Sequence, residues 1–342
     1  MTLSPGLHAF LGQLINGLTV GSFYALIALG YTMVYGVLSM VNFAHGDIFM
    51  VGAYCGLFTI GRLQSIGYLE TNPVLAIVVT FVVGMLGASL TGVLVERLAY
   101  RPVRRAGRLA ALISAIGTSI ILQESVRLVP TILKAILDIK IGSHNLFPDA
   151  FISGLLNLAK DFGGSAAKTY PAILGTGGFT LAGVFISYGR VLIVVLSLII
   201  MLALYMLVQY TRIGRAMRAV SEDKDTASLM GVNVNRTIST TFFIGSALAG
   251  IAGVMVGLFY LQIRVDMGFV PGIKAFTSAV LGGIGNIPGA MLGGYILGLV
   301  EVLSVQVLPA VYKDVVAFVI LILTLIFMPN GLLGNRKFLK KL

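Results

Sequence analysis

Residues 191–210 form the run VLIVVLSLIIMLALYMLVQY, in which no residue is charged. A helix of that length is about 30 Å long, which matches the hydrocarbon core of a bilayer. Only 11% of the 342 residues are charged and the mean hydropathy is +0.98, whereas about 25% of a soluble domain is charged. Because so few charges cannot cover a soluble surface, soluble, fibrous and disordered classes are excluded. The composition predicts an all-α polytopic membrane protein.

Other charge-free stretches supply the remaining spans, and together they predict about seven to eight transmembrane helices. The predicted spans are 11–35, 48–61, 71–95, 109–129, 191–210, 237–263, 275–300 and 315–328. The second is short and follows the polar residues 42–47, which indicate a broken entry into the membrane. The seventh is rich in glycine, and its centre, LGGIGNIPGA at 281–290, favours a break in the helix.

The positive charges predict which loops face the cytoplasm. Lysine and arginine number 24 against 13 acidic residues, a net charge of +11. Three short segments, 97–108, 212–236 and 336–341, hold most of the positive residues. The positive-inside rule places all three in the cytoplasm, and this distribution argues against nucleic acid as a partner. Two spans separate the first two segments, so residues 131–188 are predicted to be a periplasmic insertion.

The same count constrains the two ends of the chain. The spans at 237–263 and 315–328 lead out and back, so 275–300 must enter and leave on the outer side as a re-entrant hairpin. A kinked pair of spans with a different parity is the alternative. Counting back from 97–108 puts the N-terminus outside, provided that 42–61 crosses the membrane fully.

Glycine makes up 42 of the 342 residues, against a usual share of about 7%. Many glycines recur at every fourth position, a spacing that lets helix backbones approach closely in lipid. The pairs are Gly17/Gly21, Gly52/Gly56, Gly253/Gly257, Gly289/Gly293 and Gly294/Gly298. Tight packing of the bundle is the main interpretation, and a pore-lining role for some of these glycines is the alternative.

Motifs for catalysis, nucleotide binding and metal binding are absent from the sequence. There is no GxxxxGK[ST] phosphate loop and no HExxH motif. The single cysteine, Cys55, cannot form an intrachain disulfide. The three histidines, His8, His45 and His144, lack the spacing of a metal site. We therefore expect a protein that is not an enzyme and that holds no cofactor or metal.

Ionisable residues within the predicted spans are few. Glu124 and Arg127 are spaced to pair on one helix face, and Glu301 ends the seventh segment. An ion-coupled transporter usually carries acidic or basic side chains near the bilayer centre. Since the central parts of these spans carry almost no ionisable side chains, the energy for any transport is expected to come from elsewhere.

The loop at 211–236 is predicted to contain an amphipathic helix from Arg215 to Gly231, with Gly231 as a left-handed C-terminal cap. One interpretation is an ordinary interfacial helix, and the other is a docking helix for a soluble partner. Within this loop, the pattern Arg218-Ala219-x-x-Glu222-Asp223-x-x-x-Ala227-x-Leu229-x-Gly231 resembles the coupling motif of ABC-importer permeases.

More narrowly, the chain resembles the LivH-type permeases of branched-chain amino-acid importers. The matching segments are GVLSMVNFAHGD at 36–47, ISAIGTS at 113–119, KAFTSAVLGGIGNIPGA at 274–290, YKDVV at 312–316 and MPNG at 328–331. The resemblance covers about 1–130 and 188–335, and the longer segment 131–188 is the departure from it. It implies one permease domain over 1–342 with a fold like that of type II ABC importers.

The resemblance also implies partners and a location. The pore would form between this chain and a second homologous permease (LivM-like) or an identical copy, in the lipid of a bacterial inner membrane. Two ATPase subunits would dock on the cytoplasmic coupling loop 211–236, and a periplasmic binding protein would deliver the solute. The coupling residues would be Arg218, Ala219, Glu222, Asp223, Ala227, Leu229 and Gly231. The solute would be a branched-chain or related amino acid. Alternatives are urea, amides or other small solutes, or an ion-coupled secondary transporter.

Four residues are candidates for the translocation pathway: Asn42, His45, Asp47 and Asn286. A broken helix offers free backbone groups and the dipole of a half-helix to a zwitterion. The alternative for His45 is a neutral histidine packed in the core, and Asn286 is a similar candidate at the re-entrant turn.

Overall fold

The computed structural model describes residues 5–104, 106–137, 140–141, 144–145, 162–173, 177–181 and 183–334. In chain order, the helices are α1 (Pro5–Leu38), α2 (His45–Ser65), α3 (Tyr68–Thr71), α4 (Pro73–Val95), α5 (Arg101–Val103), α6 (Arg108–Leu137), α7 (Tyr188–Tyr210), α8 (Arg212–Glu222), α9 (Lys224–Leu229), α10 (Val234–Tyr260), α11 (Phe269–Gly282), α12 (Ile287–Ser304) and α13 (Lys313–Phe327). A π-helix, Glu96–Tyr100, joins α4 to α5 without a break.

Within the described residues, seven helical stretches are long and apolar enough to cross a membrane. They are Gly6–Leu38, Pro73–Val103, Leu109–Ala135, Tyr188–Tyr210, Val234–Tyr260, Ile287–Ser304 and Ala310–Phe327. The prediction of an all-α polytopic membrane protein is thereby confirmed. Helices α2 and α11 are not among the seven. Each of them is the helix that follows a break in the chain.

Helices α1 and α10 form the centre of the bundle. The most apolar part of α1 is 89% buried and that of α10 is 72% buried, whereas the corresponding part of the last span is 11% buried. The outer helices expose leucine, isoleucine and valine side chains, as expected where lipid or another membrane subunit covers the protein.

Glycines bring the central helices into backbone contact. A Cβ atom at Gly294 of α12 would lie 2.4 Å from the Cα of Ala25 in α1. A Cβ at Gly52 of α2 would lie 2.4 Å from the Cα of Gly250 in α10. Real Cβ atoms are essentially never so close, so only glycine fits at these crossings. The spacing of small residues therefore serves close packing of the bundle, as the sequence predicted.

The first break in the chain returns it to the middle of the membrane. α1 ends at Leu38, Ser39 adopts a positive φ of 57°, and α2 then begins at His45. The imidazole of His45 lies against Gly30, where an added Cβ would be 2.3 Å from Nε2. Gly30 is eight residues before the end of α1, about 12 Å along the helix axis. Helix α2 thus begins near the bilayer centre.

At the second break, the chain returns to the middle of the bundle from the opposite end. After α10 ends at Tyr260, the chain returns through 261–268 and starts α11 beside the first turn of α2. A Cβ at Gly46 would be 2.2 Å from the carbonyl oxygen of Gly268. Helices α2 and α11 therefore begin at the same depth and run in opposite directions.

Two of the three basic segments, 97–108 and 212–236, share one end of the bundle, which we call the basic end. Arg104 Nη1 lies 3.0 Å from Asn235 Oδ1, which joins segment 97–108 to the start of α10. Gly285 and Arg218 line one cavity, which places the turn at 283–286 at this end, and the backbone N–H of Leu333 donates to Gly282 at 3.0 Å. This arrangement agrees with the parity predicted from the sequence. The tail segment 336–341 lies outside the described residues.

The Gly-rich segment is a hairpin, but it differs in detail from the prediction. α11 and α12 meet at a turn at 283–286 where Gly283 and Gly285 have φ values of 104° and 92°. This turn lies at the basic end, so both limbs lead away to the opposite end, as predicted. The predicted range 275–300 was too short at both ends, because α11 starts at Phe269 and α12 ends at Ser304. With 18 residues, α12 is long enough to cross most of the bilayer.

Residues 168–170 of the predicted insertion lie at the end opposite the basic one. α6 continues through Pro130 to Leu137, so the first residues of the predicted insertion 131–188 are helical. Strand Lys168–Thr169 pairs with Gln262–Ile263, in the segment 261–268 between α10 and α11. Tyr170 then packs between α2 and α10, since a Cβ at Gly257 would be 2.5 Å from its ring. Residues 151–158 of the predicted insertion lie outside the described residues.

The glycine contacts make a direct prediction. Gly294→Ala places a methyl group inside the backbone of α1 and should lower the free energy of unfolding by about 1–3 kcal/mol. Gly117→Ala is the matched control, because a Cβ at Gly117 in α6 meets no atom within 4 Å. The measurement is the thermal midpoint of each purified variant in detergent. Equal midpoints for Gly294→Ala and the unmodified protein would contradict the packing described.

Candidate functional site

The starts of α2 and α11 meet in the middle of the membrane. A helix N-terminus leaves backbone N–H groups unpaired and carries a partial positive charge. The ring of Tyr31 stacks edge-on against His45, with centroids 4.7 Å apart. A Cβ at Gly272 in the first turn of α11 would lie 3.4 Å from the Tyr31 hydroxyl. Tyr31 thus stands between the two helix starts.

Asn42 holds the short segment that leads into α2. Its side chain is 1% exposed. Its Oδ1 accepts hydrogen bonds from the backbone N–H of Ala44 at 3.1 Å and from the hydroxyl of Tyr100 at 2.9 Å. No described residue accepts a hydrogen bond from its Nδ2. A buried amide with free donors is costly in lipid unless something else pairs with it.

His45 is the first residue of α2 and is 1% exposed. No described residue gives its Nε2 a hydrogen bond. The ring fills the space that Gly30 and Gly245 leave between α1 and α10, where the Gly30 Cβ position is also 2.8 Å from the Gly245 carbonyl oxygen. Both a packing role and a role in the pathway are consistent with this placement.

Asp47 lies in the first turn of α2 and is 2% exposed. A carboxylate in the first turn of a helix offsets the positive end of the dipole. Gln123 Nε2 on α6 donates to Asp47 Oδ1 at 2.9 Å. Asp47 therefore ties the start of α2 to the neighbouring span, and α11 has no acidic residue in its own first turn.

Asn286 does not join the other three pathway candidates. It caps α12 at the basic end, where its Oδ1 accepts from the N–H of Gly289 at 3.1 Å. Its Nδ2 donates to the carbonyl of Leu333 at 2.6 Å. The 14 residues of α11 separate it from the central break by about 20 Å. Asn42, His45 and Asp47 form one cluster, and Asn286 holds the C-terminal segment.

The loop at 211–236 contains two helices, so the prediction of one helix from Arg215 to Gly231 was wrong. Asp223 is extended, with φ −155° and ψ 121°, and it caps α9 by accepting from the N–H of Thr226 at 2.6 Å. Aspartate is a preferred N-cap residue, and this preference divides the helix. The cap predicted for Gly231 is confirmed. It has φ +82°, and its N–H and that of Val232 donate to Ser228 and Ala227.

Residues of the coupling motif divide into an inner and an outer set. Ala227 is 4% exposed and packs against the bundle, and Arg218 donates to the carbonyls of Val208 and Gln209 at the end of α7. Leu229 is 88% exposed and Met230 is 81% exposed. The exposed members of the motif are Arg218, Ala219, Glu222, Asp223, Leu229 and Gly231. An exposed leucine beside an exposed methionine on a short capped helix is typical of a contact surface.

A buried charge cluster escaped the sequence analysis. Lys274 Nζ lies 2.7 Å from Glu301 Oε1 and 2.6 Å from Asp314 Oδ1, and Tyr24 donates to Glu301 Oε2 at 2.9 Å. The side chains of Lys274 and Glu301 are 3% and 5% exposed. The cluster ties α11 to α12, α13 and α1. The signal was Lys274 itself, a lone charge in an apolar helix that requires a partner.

A second buried carboxylate, Glu96, was also missed. It contacts the guanidinium of Arg104 and accepts from Ser239 Oγ at 2.6 Å. By contrast, the pairing of Glu124 with Arg127 on α6 was predicted and is present, at a partly exposed position.

Comparison with known proteins places the chain in a family. A family model described as the permease component of the branched-chain amino acid transport system matches residues 13–325. The chain is 44% identical over 336 residues to the high-affinity branched-chain amino acid transport system permease protein BraD of Pseudomonas aeruginosa, covering 97% of this chain and 98% of that protein. It is 45% identical over 326 residues to the corresponding LivH of Escherichia coli K12, covering 95% and 96%. A shorter match, 30% identical over 144 residues, is to the probable permease LivM of Methanocaldococcus jannaschii, covering 37% and 41%. The chain therefore belongs to the family of branched-chain amino acid transport system permeases.

Proposed function

We propose that this chain is the membrane-spanning permease subunit of an ATP-driven importer for branched-chain amino acids, located in a bacterial inner membrane. The relatives named above are permeases of that kind of system by their descriptions. The observation that carries the proposal is the meeting of two helix N-termini at the centre of the membrane, beside His45 and Asn42.

The two helix starts suit the carboxylate of an amino acid. Each contributes about 0.3–1 kcal/mol toward a nearby anion, and somewhat more when buried. Asp47 lies in the first turn of α2, whereas the first turn of α11 holds no acidic residue. Binding of this strength is weak, which suits a path from which the solute must leave again. Urea and amides carry no net negative group for such a site, so they fit it less well.

The pathway is proposed to run along the face where the central break reaches the surface of the chain. Phe269, the first residue of α11, is 60% exposed, and Phe43 is 36% exposed although both flank the central cluster. Phe43 and Phe276 lie with ring centroids 6.0 Å apart. A second permease, either a LivM-like homologue or another copy of this chain, would complete the path by covering this aromatic face.

Energy is proposed to come from two separate ATPase subunits that dock on α8 and α9. The exposed Leu229 and Met230 would enter an apolar pocket on the ATPase, and Glu222 would face its basic groups. Arg218 and Ala227 would hold the two helices on the bundle. A periplasmic binding protein would deliver the solute at the end opposite the basic one. Secondary transport is less well supported, since Asp47, the carboxylate nearest the central break, is already hydrogen-bonded to Gln123.

Transport in proteoliposomes tests the energy source and the solute together. We expect leucine uptake only when the vesicles contain this chain, its second permease, the ATPases and the binding protein, and only with ATP inside the compartment that the ATPases face. Vesicles with this chain alone under a proton or sodium gradient are the control. Gradient-driven uptake by the lone chain, or faster uptake of urea than of leucine by the full assembly, would contradict the proposal.

A substitution at the exposed tip tests the docking surface. Leu229→Asp should weaken binding of the ATPases at least tenfold, because burying a leucine side chain contributes roughly 1.5–3 kcal/mol. Asp225→Asn, an exposed change on the same helix, should leave binding unchanged. Binding is measured by titrating ATPase onto the detergent-solubilised permease, and the thermal midpoint checks folding. Unaltered affinity of the Leu229→Asp variant would show that the ATPases bind elsewhere.

A further inference from the structure

A cavity at the basic end has no role in the transport mechanism proposed above. It has a volume of about 500 Å³ and lies where α4 leaves the membrane and α10 enters it. Three arginines line it. Arg97 and Arg101 follow the end of α4, and Arg236 lies at the start of α10. Asn235 and Ser239 complete its polar wall.

The three arginines carry positive charge that the described residues do not neutralise. Glu96, which precedes Arg97 in the chain, is 0% exposed and is already held by Arg104 and Ser239. No described acidic side chain lines the cavity. Clustered like charges repel one another unless an anion lies between them.

Neighbouring positive charges also contribute to the pKa shifts of two side chains at the basic end. Burial, the largest cause, and the nearby Arg101 lower the pKa of Arg104, while Glu96 acts in the opposite direction. Burial also lowers the pKa of Lys224, and Arg104 adds to that effect. Arg101 of the cavity therefore acts on Arg104 as a like charge.

One wall of the cavity faces lipid. Phe243 of α10 lines it and is 36% exposed. On the flank of α4, Leu90 and Leu94 are 62% and 56% exposed. Leu94 and Leu90 lie about 4.5 and 10 Å deeper along the helix axis than Arg97. A polar cavity with an apolar track directly below it has the shape of a phospholipid, with the headgroup above and the acyl chains along the helix.

We propose that this cavity binds the phosphate headgroup of an anionic phospholipid such as phosphatidylglycerol. Arginine forks pair with phosphate oxygens in a bidentate manner, and basic pockets between membrane helices bind such headgroups. An acidic segment of a soluble protein is a poorer fit, because the exposed Leu94 and Leu98 beside the arginines would have to leave the lipid. The lipid would link segment 97–104 to the start of α10. Because only four residues separate α10 from α9, the lipid would also hold the coupling loop in place.

The test is a lipid titration of the purified full-length chain in detergent, followed by native mass spectrometry. The probes are phosphatidylglycerol, phosphatidylcholine and inorganic phosphate. We expect phosphatidylglycerol to bind at least tenfold more tightly than phosphatidylcholine, and this preference to fall as sodium chloride rises from about 50 to about 500 mM, as screening requires. Inorganic phosphate should not displace the lipid at millimolar concentration, because it lacks the acyl chains.

Paired variants assign the preference to the cavity. Arg97→Gln with Arg236→Gln should lose at least tenfold of the preference for phosphatidylglycerol. Arg212→Gln with Arg215→Gln removes two arginines from α8 outside the cavity and should retain it. Arg236→Lys keeps the charge and serves if the first pair does not fold; it should bind phosphatidylglycerol severalfold more weakly than the unmodified protein.

Several results would overturn the proposal. Equal binding of the two lipids, or equal loss in the cavity pair and the α8 pair, would show that no lipid site exists there. Displacement by inorganic phosphate would indicate a free-anion site. In another outcome, the ATPases shield Arg97 and Arg236 from a chemical reagent while the chain binds phosphatidylglycerol and phosphatidylcholine equally. That result would identify the cavity as a protein contact.

Discussion

In a bilayer, every backbone polar group must find its partner within the protein, and this chain meets that requirement at two helix breaks in the membrane interior. At the first break, the N–H groups of Ala44 and His45 donate to Asn42, and those of Asp47 and Ile48 donate to the carbonyl of Ala44. Asn42 thus accepts hydrogen bonds from the backbone, and Asp47 accepts one from Gln123. The side chain of Tyr31 lies between the two helix starts. The breaks can meet because Gly46, Gly268 and Gly272 leave room for backbone against backbone. The rest of the bundle is arranged around that contact.

The two ends of the bundle hold the breaks in place by different means. At the end opposite the basic one, a strand pair and the ring of Tyr170 fix the segment that leads into α11. Nearby, Lys274 links α11 to Glu301 and Asp314. At the basic end, Asn286 and the C-terminal segment hold the turn between α11 and α12. Movement of the coupling loop at the basic end would therefore reach α11 through helices that are tied at both ends.

Much of this architecture was predictable because membrane proteins obey strong constraints of composition. Charge-free stretches located the spans, the arginine-rich loops gave their parity, and glycine spacing marked the close contacts. The polar run 42–47 correctly indicated a broken entry, and the family resemblance agreed with the later comparisons. Sequence periodicity could not show that Asp223 divides the coupling helix, because the cap depends on local backbone geometry. Lys274 and Asp314 are 40 residues apart in the chain, and only the folded hairpin brings them together.

The central claim is that the meeting point of α2 and α11 lies on the translocation path. It is tested most directly by replacing Cys55 with alanine, introducing Ala44→Cys, and labelling with a membrane-impermeant thiol reagent in vesicles that contain the full assembly. We expect the thiol introduced at position 44 to become labelled during ATP turnover, because water then reaches the break, and leucine bound in the path to protect it. A thiol at that position that stays unlabelled in every nucleotide state, in an assembly that still transports leucine, would contradict the claim.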